Sequence, residues 1–330
     1  MRENAVRVAS FDEVFETGFH LGKEGENGRR LSSPSDIADD PEGNLYVTDL
    51  LNHQIQKFSA NGKYLRTFGS RGKGPGQFNY PTSLVISYRR DIIVTDRWNH
   101  RVQMLNPEGH PTSVFGSYGK ASGDFNEPWG IATSWNGHVL IADRGNHRIQ
   151  VFNQKGEFQC SFGKQGFDRH YYEGTEFKSG YVFECWHGAI SRFNTIESSF
   201  RETGYEIGSL EFPRWIGPYR EDSFLVIDTS GTIHIAQTEG SITGQIEADY
   251  SDEKGQFTPA ASTVTASGTV LICDECRNEI VSIEPYSGRK TVLTGVPYPV
   301  SNLKLLHSGK LALIHCWDNL VSICSPKIEL

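Results

Sequence analysis

Three stretches decide the fold: NLYVTDLLNHQIQKF at residues 44–58, DIIVTDRWNHRVQML at 91–105 and HVLIADRGNHRIQVF at 138–152. Each opens with an apolar run that ends in Asp, and each places Asn-His just beyond it. The spacing does not drift. Asp49, Asp96 and Asp143 are 47 residues apart, as are His53, His100 and His147, Pro34, Pro81 and Pro128 ahead of them, and Gly69, Gly116 and Gly163 behind. A fixed period of this length is the signature of a repeat architecture.

Within a unit the apolar residues alternate with period two, and turn pairs at Asn61-Gly62, Glu108-Gly109 and Lys155-Gly156 separate the runs. These features predict four short strands per unit, with no segment of helical period and caps. A single four-stranded antiparallel unit cannot bury both its faces, so radial stacking into a β-propeller is the economical solution. Weaker copies extend the count. Pro213 and Pro259 stand 15 residues before Asp228 and Asp274, as Pro34 stands before Asp49; Pro299 opens a last unit with three strands. His170 takes the Pro place in a degenerate copy whose Asp place is Cys185. Residues 13–22, EVFETGFHLG, resemble the last strand of a unit and are expected to complete the final one and close the ring. The expectation is therefore an all-β chain forming one propeller over residues 1–330, with units starting near 34, 81, 128, 170, 213, 259 and 299. That gives seven blades, or six if the copy near 170 is an insertion.

Composition agrees with a turn-rich β-protein: 34 Gly, 12% aromatic residues and only two Met. No run approaches the ~20 apolar residues that span a bilayer. The first thirty residues are charged throughout and lack an apolar core, so they do not read as a secretory signal and a cytoplasmic chain with no membrane contact is expected. The six Cys are then read as reduced. Cys273-Asp-Glu-Cys276 lacks a second pair at matching spacing, which argues against a closed zinc site.

Net charge is −8, unevenly placed. Residues 51–101 carry nine Lys and Arg against Asp91 and Asp96, a local +7 on an acidic protein.

The unit Pro…Asp-x-x-Asn-His-(Gln/Arg)-(Ile/Val)-Gln…Phe-Gly resembles the NHL repeat, in three strong copies over residues 31–166. NHL propellers occur in tripartite-motif proteins of the Brat-like kind, which bind RNA, and in proteins that bind other proteins; an amidating lyase uses the same repeat. Usual members have six blades. Ubiquitin-ligase activity would need domains that this sequence does not contain.

In such a blade the connection into the first strand and the turn between the second and third emerge at one end. That end gathers Arg97, Trp98, Arg144 and Trp186 from the turns, and Arg71, Lys73, Lys120, Trp129, Tyr171 and Arg214 from the connections. Aromatics among basic groups suit base stacking and phosphate contact, and equally suit a protein hot spot or the bracing of neighbouring blades. Asp39, Asp40 and Glu42 fall at the opposite end. The repeated His and Asp travel with the scaffold, which is how turn residues that satisfy their own blade behave. No phosphate loop, Gly-x-Ser-x-Gly or His-Glu-x-x-His occurs. The sequence reading is thus a non-catalytic propeller, without cofactor or metal, that recognises RNA through its basic and aromatic face. A protein-recruiting module and a metal-dependent lyase or lactonase-like enzyme are the alternatives.

Overall fold

The computed structural model describes residues 7–22, 30–162 and 215–327, apart from 134–137, 147, 221–222, 228–231, 238–241, 248–258, 266, 275–276, 285–286 and 288. The chain begins with β1 (Arg7–Ser10), one helical turn α1 (Phe11–Val14) and β2 (Phe15–Leu21). Three strong units follow. The first is β3 (Pro34–Asp39), β4 (Leu45–Asp49), β5 (Gln54–Phe58) and β6 (Tyr64–Phe68); the second is β7 (Pro81–Ile86), β8 (Ile92–Asp96), β9 (Arg101–Leu105) and β10 (Pro111–Phe115). The third is β11 (Pro128–Thr133), β12 (Val139–Asp143), β13 (Arg148–Phe152) and β14 (Phe158–Phe162). Beyond residue 214 come β15 (Trp215–Arg220), β16 (Ser223–Ile227), β17 (Thr232–Gln237) and β18 (Ile242–Glu247), then β19 (Pro259–Val264), β20 (Val270–Asp274), β21 (Glu279–Ile283) and β22 (Lys290–Thr294). The chain ends with β23 (Asn302–Leu305), β24 (Leu311–His315) and β25 (Leu320–Pro326). The unit read near residue 170 lies outside the described residues.

Each unit is a four-stranded antiparallel sheet in sequence order, as its alternation requires, and six such sheets are present among the described residues. The amino terminus joins two of them. β2 is the antiparallel fourth strand of the last sheet, with Phe15 opposite Pro326 and Leu21 opposite Val321, two residues shorter at its start than the stretch read from sequence. β1, which the sequence reading did not anticipate, runs parallel to β22 as a fifth strand of the preceding sheet. Between them Phe11 and Phe15 stack at 5.0 Å and bury against Leu293, Val300 and Leu313.

The cores lie between sheets. Tyr46 and Phe68 of the first pack against Leu84 and Leu105 of the second, and Val102 and Met104 of the second against Ile131 and Phe152 of the third. Leu306, Ile314 and Val321 of the last pack against Ile37 and Val47 of the first. This stacking of sheets face to face is what makes the chain an all-β propeller of four-stranded blades. No helix among the described residues is long and apolar enough to cross a membrane.

The Asn-His motif clips the first blade to the second and the second to the third. His53 and His100 adopt left-handed backbone (φ 55° and 53°), which turns each imidazole Nδ1 toward the next connection to accept the N–H of Tyr80 and Glu127, both at 3.1 Å. In the last sheet Asn319 (φ 57°) takes that place, and its Oδ1 accepts the N–H of Ser33 at 2.7 Å in the connection to the first sheet.

The opposite end is not an acidic face. Asp40 is buried against Asn44, Tyr46 and Lys57, and Asp39 is buried beneath His307 of the last sheet, whose Nδ1 lies 2.8 Å from Asp39 Oδ1. The hydrogen bond to Asp39 raises the His307 pKa above its ordinary 6.5. Stability from this pair is therefore full below 6.5 and is lost as pH rises through the raised value. The ring is 80% exposed, so the effect is small. His307→Ala should lower the melting temperature at acidic pH and leave it unchanged at alkaline pH.

The Asp that ends each second strand carries more weight. Asp96, fully buried, accepts from Asn79 N, Asn99, Arg101 and Gln103. Asp96→Ala leaves a buried guanidinium and several amides without their acceptor, and should cost roughly 3–5 kcal/mol in a urea titration.

Candidate functional site

The site forms where the second and third sheets meet, at the end that holds the turns after the Asp residues. There the chain makes short 3-10 turns, Arg97–Asn99 and Arg144–Asn146. Arg97 donates through Nε and Nη2 to Glu127 Oε2, at 3.2 and 2.6 Å, and Arg144 Nη1 stands 3.9 Å from the same oxygen. The two guanidiniums also flank one indole, with their central carbons 4.3 and 4.7 Å from the Trp129 ring centroid.

Scaffold bonds hold this arrangement. The N–H of Glu127 is held by His100, that of Asn126 by Asp143 at 2.7 Å, and the carbonyl of Trp129 by the hydroxyls of Thr82 and Thr95. Two cations thus share one carboxylate and one indole ring, with Arg144 partly exposed. Partly desolvated cation–π contacts of this kind contribute about 1 kcal/mol each. Burial lowers the pKa of His53 and of His100, so both imidazoles stay neutral, as their acceptor role demands.

An aromatic run adjoins the cluster. His53 meets Tyr80 edge-on at 4.7 Å, and Tyr80 stacks on Trp98 at 5.1 Å; His100 meets Tyr118 at 4.8 Å. Trp98 is 54% exposed and Tyr118 71%. Trp317, 77% exposed, occupies in the last sheet the turn position that Trp98 holds in the second.

Of the residues singled out from sequence, Arg97, Trp129 and Arg144 come together and Trp98 stands beside them. Arg71 and Lys73 are exposed on the loop before the second sheet, where Arg71 pairs with Phe78 in an isolated bridge and the Lys73 carbonyl accepts from Arg101. Lys120 is exposed on the matching loop of the third. Tyr171, Trp186 and Arg214 lie outside the described residues.

The basic stretch does not make one surface. Lys57 pairs with Asp40, Arg90 with Glu42, and Arg101 with Asp96; Arg66 lies over Phe68 and Arg89 over Tyr88. Strands that run from end to end distribute these charges, and Lys57, Arg90 and Arg101 each meet a carboxylate.

Sequence reasoning missed a second group, in the last sheet. The Ser322 hydroxyl lies 2.9 Å from His315 Nε2 and 3.0 Å from His20 Nδ1, while His315 Nδ1 lies 3.0 Å from the Pro299 carbonyl. The Tyr298 ring stands edge-on to both imidazoles. His315 and Ser322 are buried and His20 half-buried, and burial lowers the His315 pKa. The signal was present: LIH at 313–315 ends a second strand where the strong copies read VTD or IAD. Counting 15 residues from Pro299 lands one residue short of it. Among the described residues no three His, Cys, Asp or Glu side chains gather as metal ligands do.

Comparison with known proteins places the fold. Residues 125–152 match the model of the NHL repeat, and residues 24–106 match one described as a 6-bladed beta-propeller. Together they support an NHL-type propeller, without the tripartite-motif specificity. No curated protein matches the chain. Among solved structures it is similar to a streptogramin B lyase, with TM-score 0.67 and 13% identity over 96% of this chain and 99% of that one. A catalytically inactive His-to-Ala variant of virginiamycin B lyase from Staphylococcus aureus, with quinupristin, superposes with TM-score 0.62 and 13% identity over 94% and 99%. At this identity the likeness is one of fold.

These findings correct the reading of a non-catalytic, RNA-recognising propeller. Two of the structures that superpose along nearly the whole chain are lyases, so a propeller of this shape is no ground for excluding catalysis. The +7 stretch that motivated RNA is dispersed and internally paired. Arg97 and Arg144, assigned to phosphate contact, are engaged by Glu127 and Trp129.

A double-mutant cycle on Arg97→Ala and Glu127→Gln should return a coupling of about 1 kcal/mol in unfolding free energy, the upper range for a partly exposed pair. Trp129 emission should shift in the Arg97 variant, which removes one of the cations on its face.

Proposed function

We propose that this chain is a propeller enzyme of the lyase type, a single ring of seven units whose last blade is completed by β2. It takes its substrate at the end carrying Arg97, Trp129 and Arg144, with Trp98, Arg71, Lys73 and Lys120 around them and Tyr171, Trp186 and Arg214 assigned to the same end. The observation that carries the reading is the pair of guanidiniums fixed on one indole and sharing one carboxylate. In an elimination a proton leaves carbon, negative charge builds on a neighbouring oxygen, and a bond to the leaving group breaks. Arg144, partly exposed and 3.9 Å from Glu127, keeps donors to offer that developing charge, and preorganised donors lower the barrier. The exposed aromatics beside them offer apolar surface to the rest of a substrate.

The shape shared with lyases supports this reading, and so does the description of one His-to-Ala lyase variant as catalytically inactive. This chain carries two histidines on one hydroxyl.

Quinupristin, the molecule bound in that structure, is the first probe. Conversion by elimination gives product mass equal to substrate mass, whereas hydrolysis adds one water. We expect conversion without added water, and a fall in kcat/KM of about 10²–10³ in Arg144→Ala. Intact quinupristin together with unchanged Trp emission on titration would remove the lyase reading.

A further inference from the structure

We propose that Asn61 is a site of covalent modification: its side-chain amide closes on the Gly62 nitrogen as a cyclic imide, helped by the Ser59 hydroxyl, and reopens as aspartate and isoaspartate. The proposal is independent of the lyase reading. It starts from the turn between β5 and β6. There Ser59 N donates to the Lys63 carbonyl at 2.8 Å, Gly62 N donates to the Ser59 carbonyl at 2.9 Å, and Gly62 has φ 84°. The second sheet builds the same turn over residues 106–110 and the third over residues 153–157, with Gly109 and Gly156 at φ 87° and 81°. Glu108 and Lys155 stand where the first sheet has Asn61. The fold therefore does not require asparagine at this place.

Local geometry favours the closure. Ala60, Asn61 and Lys63 are exposed, so water and hydroxide reach the amide. The Ser59 hydroxyl donates to Asn61 Oδ1, which draws electron density from the carbon to be attacked and stabilises the oxyanion that forms there. Gly62 has no side chain to crowd the attacking nitrogen. The bond that holds the Gly62 N–H belongs to the tip of an exposed turn, where local opening costs little.

The step balances. Hydroxide takes the Gly62 N–H proton, the nitrogen lone pair forms a bond to Asn61 Cγ, and Nδ2 leaves as ammonia with a proton from water. One water then opens the ring. Opening at the new N–Cγ bond gives aspartate; opening between that nitrogen and the original backbone carbonyl gives isoaspartate, whose main chain runs through Cβ and Cγ. Nothing is oxidised or reduced.

The second product has a structural consequence. A Cβ added to Gly62 would stand 2.5 Å from the Phe19 ring, so this glycine rests on that ring. Gly109 rests on Phe68 and Gly156 on Phe115 in the same way, each on the outer strand of the preceding sheet. Phe19 plays that part for the last sheet, which β2 completes. An extra backbone carbon beside Gly62 moves the turn off the ring and loosens β2, because close-packed contacts do not stretch.

Incubation of the folded full chain at mildly alkaline pH, followed by peptide mapping, tests this. Every chain carries Asn27→Gln and Asn136→Gln, which remove the other Asn-Gly pairs. Trypsin releases residues 58–63, FSANGK, and the synthetic peptide of that sequence is the reference. In the parent chain this segment should gain the mass of an amide-to-acid exchange and separate into aspartyl and isoaspartyl forms. Asn61→Glu, the residue of the second-sheet turn, should fold alike and show no gain. Ser59→Ala should convert more slowly than the parent. Asn61→Asp supplies the new charge without the extra carbon, so the isoaspartyl fraction should melt below it. Conversion of the synthetic peptide with none in the folded chain overturns the proposal, and so does a Ser59→Ala chain that converts as fast as the parent. An isoaspartyl fraction that melts together with Asn61→Asp overturns the link to Phe19.

Discussion

A carboxylate with no contact with water holds this molecule in register. Asp49, Asp96 and Asp143 are fully buried, and each accepts the N–H of the residue 17 positions earlier, at 2.6–2.7 Å. Each also accepts from the Asn three residues on and the Gln seven residues on. Burying a charge is costly unless its acceptor sites are filled, and here the incoming connection, the turn and the third strand supply the donors together. A one-residue slip in any of these three segments would leave the charge exposed to an apolar core without its partners. The repeat period is fixed by that penalty.

Bonds between blades then copy the period through space. The Ser35 hydroxyl donates to the carbonyl of Thr82, and the Thr82 hydroxyl to that of Trp129, each 47 residues on. Histidine plays two parts in this scheme, and the tautomer tells them apart. His53 and His100 accept through Nδ1 and carry hydrogen at Nε2, as a clip to a backbone N–H requires. His315 faces a carbonyl and carries hydrogen at Nδ1, which turns the acceptor nitrogen inward to Ser322. The repeated histidines hold a backbone N–H of the next connection; the unrepeated one holds a backbone carbonyl through one nitrogen and a side chain through the other.

The strong copies made the fold legible, because a 47-residue spacing with alternating strands leaves few architectures open. The structural role of the repeated Asp and His was legible for the same reason. So were Arg97, Trp129 and Arg144 as neighbours, since a common turn position and a connection fix them relative to the period. What escaped was whatever broke the period. β1 pairs along the edge of β22 through backbone bonds that no side-chain pattern announces. His20 belongs to the amino terminus and Ser322 to the last strand, 302 residues away, so only the closing of β2 on β25 brings them together. Net charge misled because strand polarity spreads nine cations over both ends, where Asp40, Glu42 and Asp96 neutralise three of them.

The inner strands consume the charge they bury. Asp36, buried on β3, accepts from its own sheet through Ile37 N at 2.8 Å and from the second sheet through Ser83 Oγ at 2.5 Å and Leu84 N at 3.1 Å. Lys304 of the last sheet approaches its other oxygen at 3.4 Å. One carboxylate thus fastens three successive sheets at their inner strands, and the counter-charge it could have offered a substrate is consumed by the scaffold. At the end where Arg97 and Arg144 meet, both guanidiniums address one carboxylate, Glu127, and one indole. The repeat builds that place from a turn and a connection, away from the inner strands that Asp36 fastens.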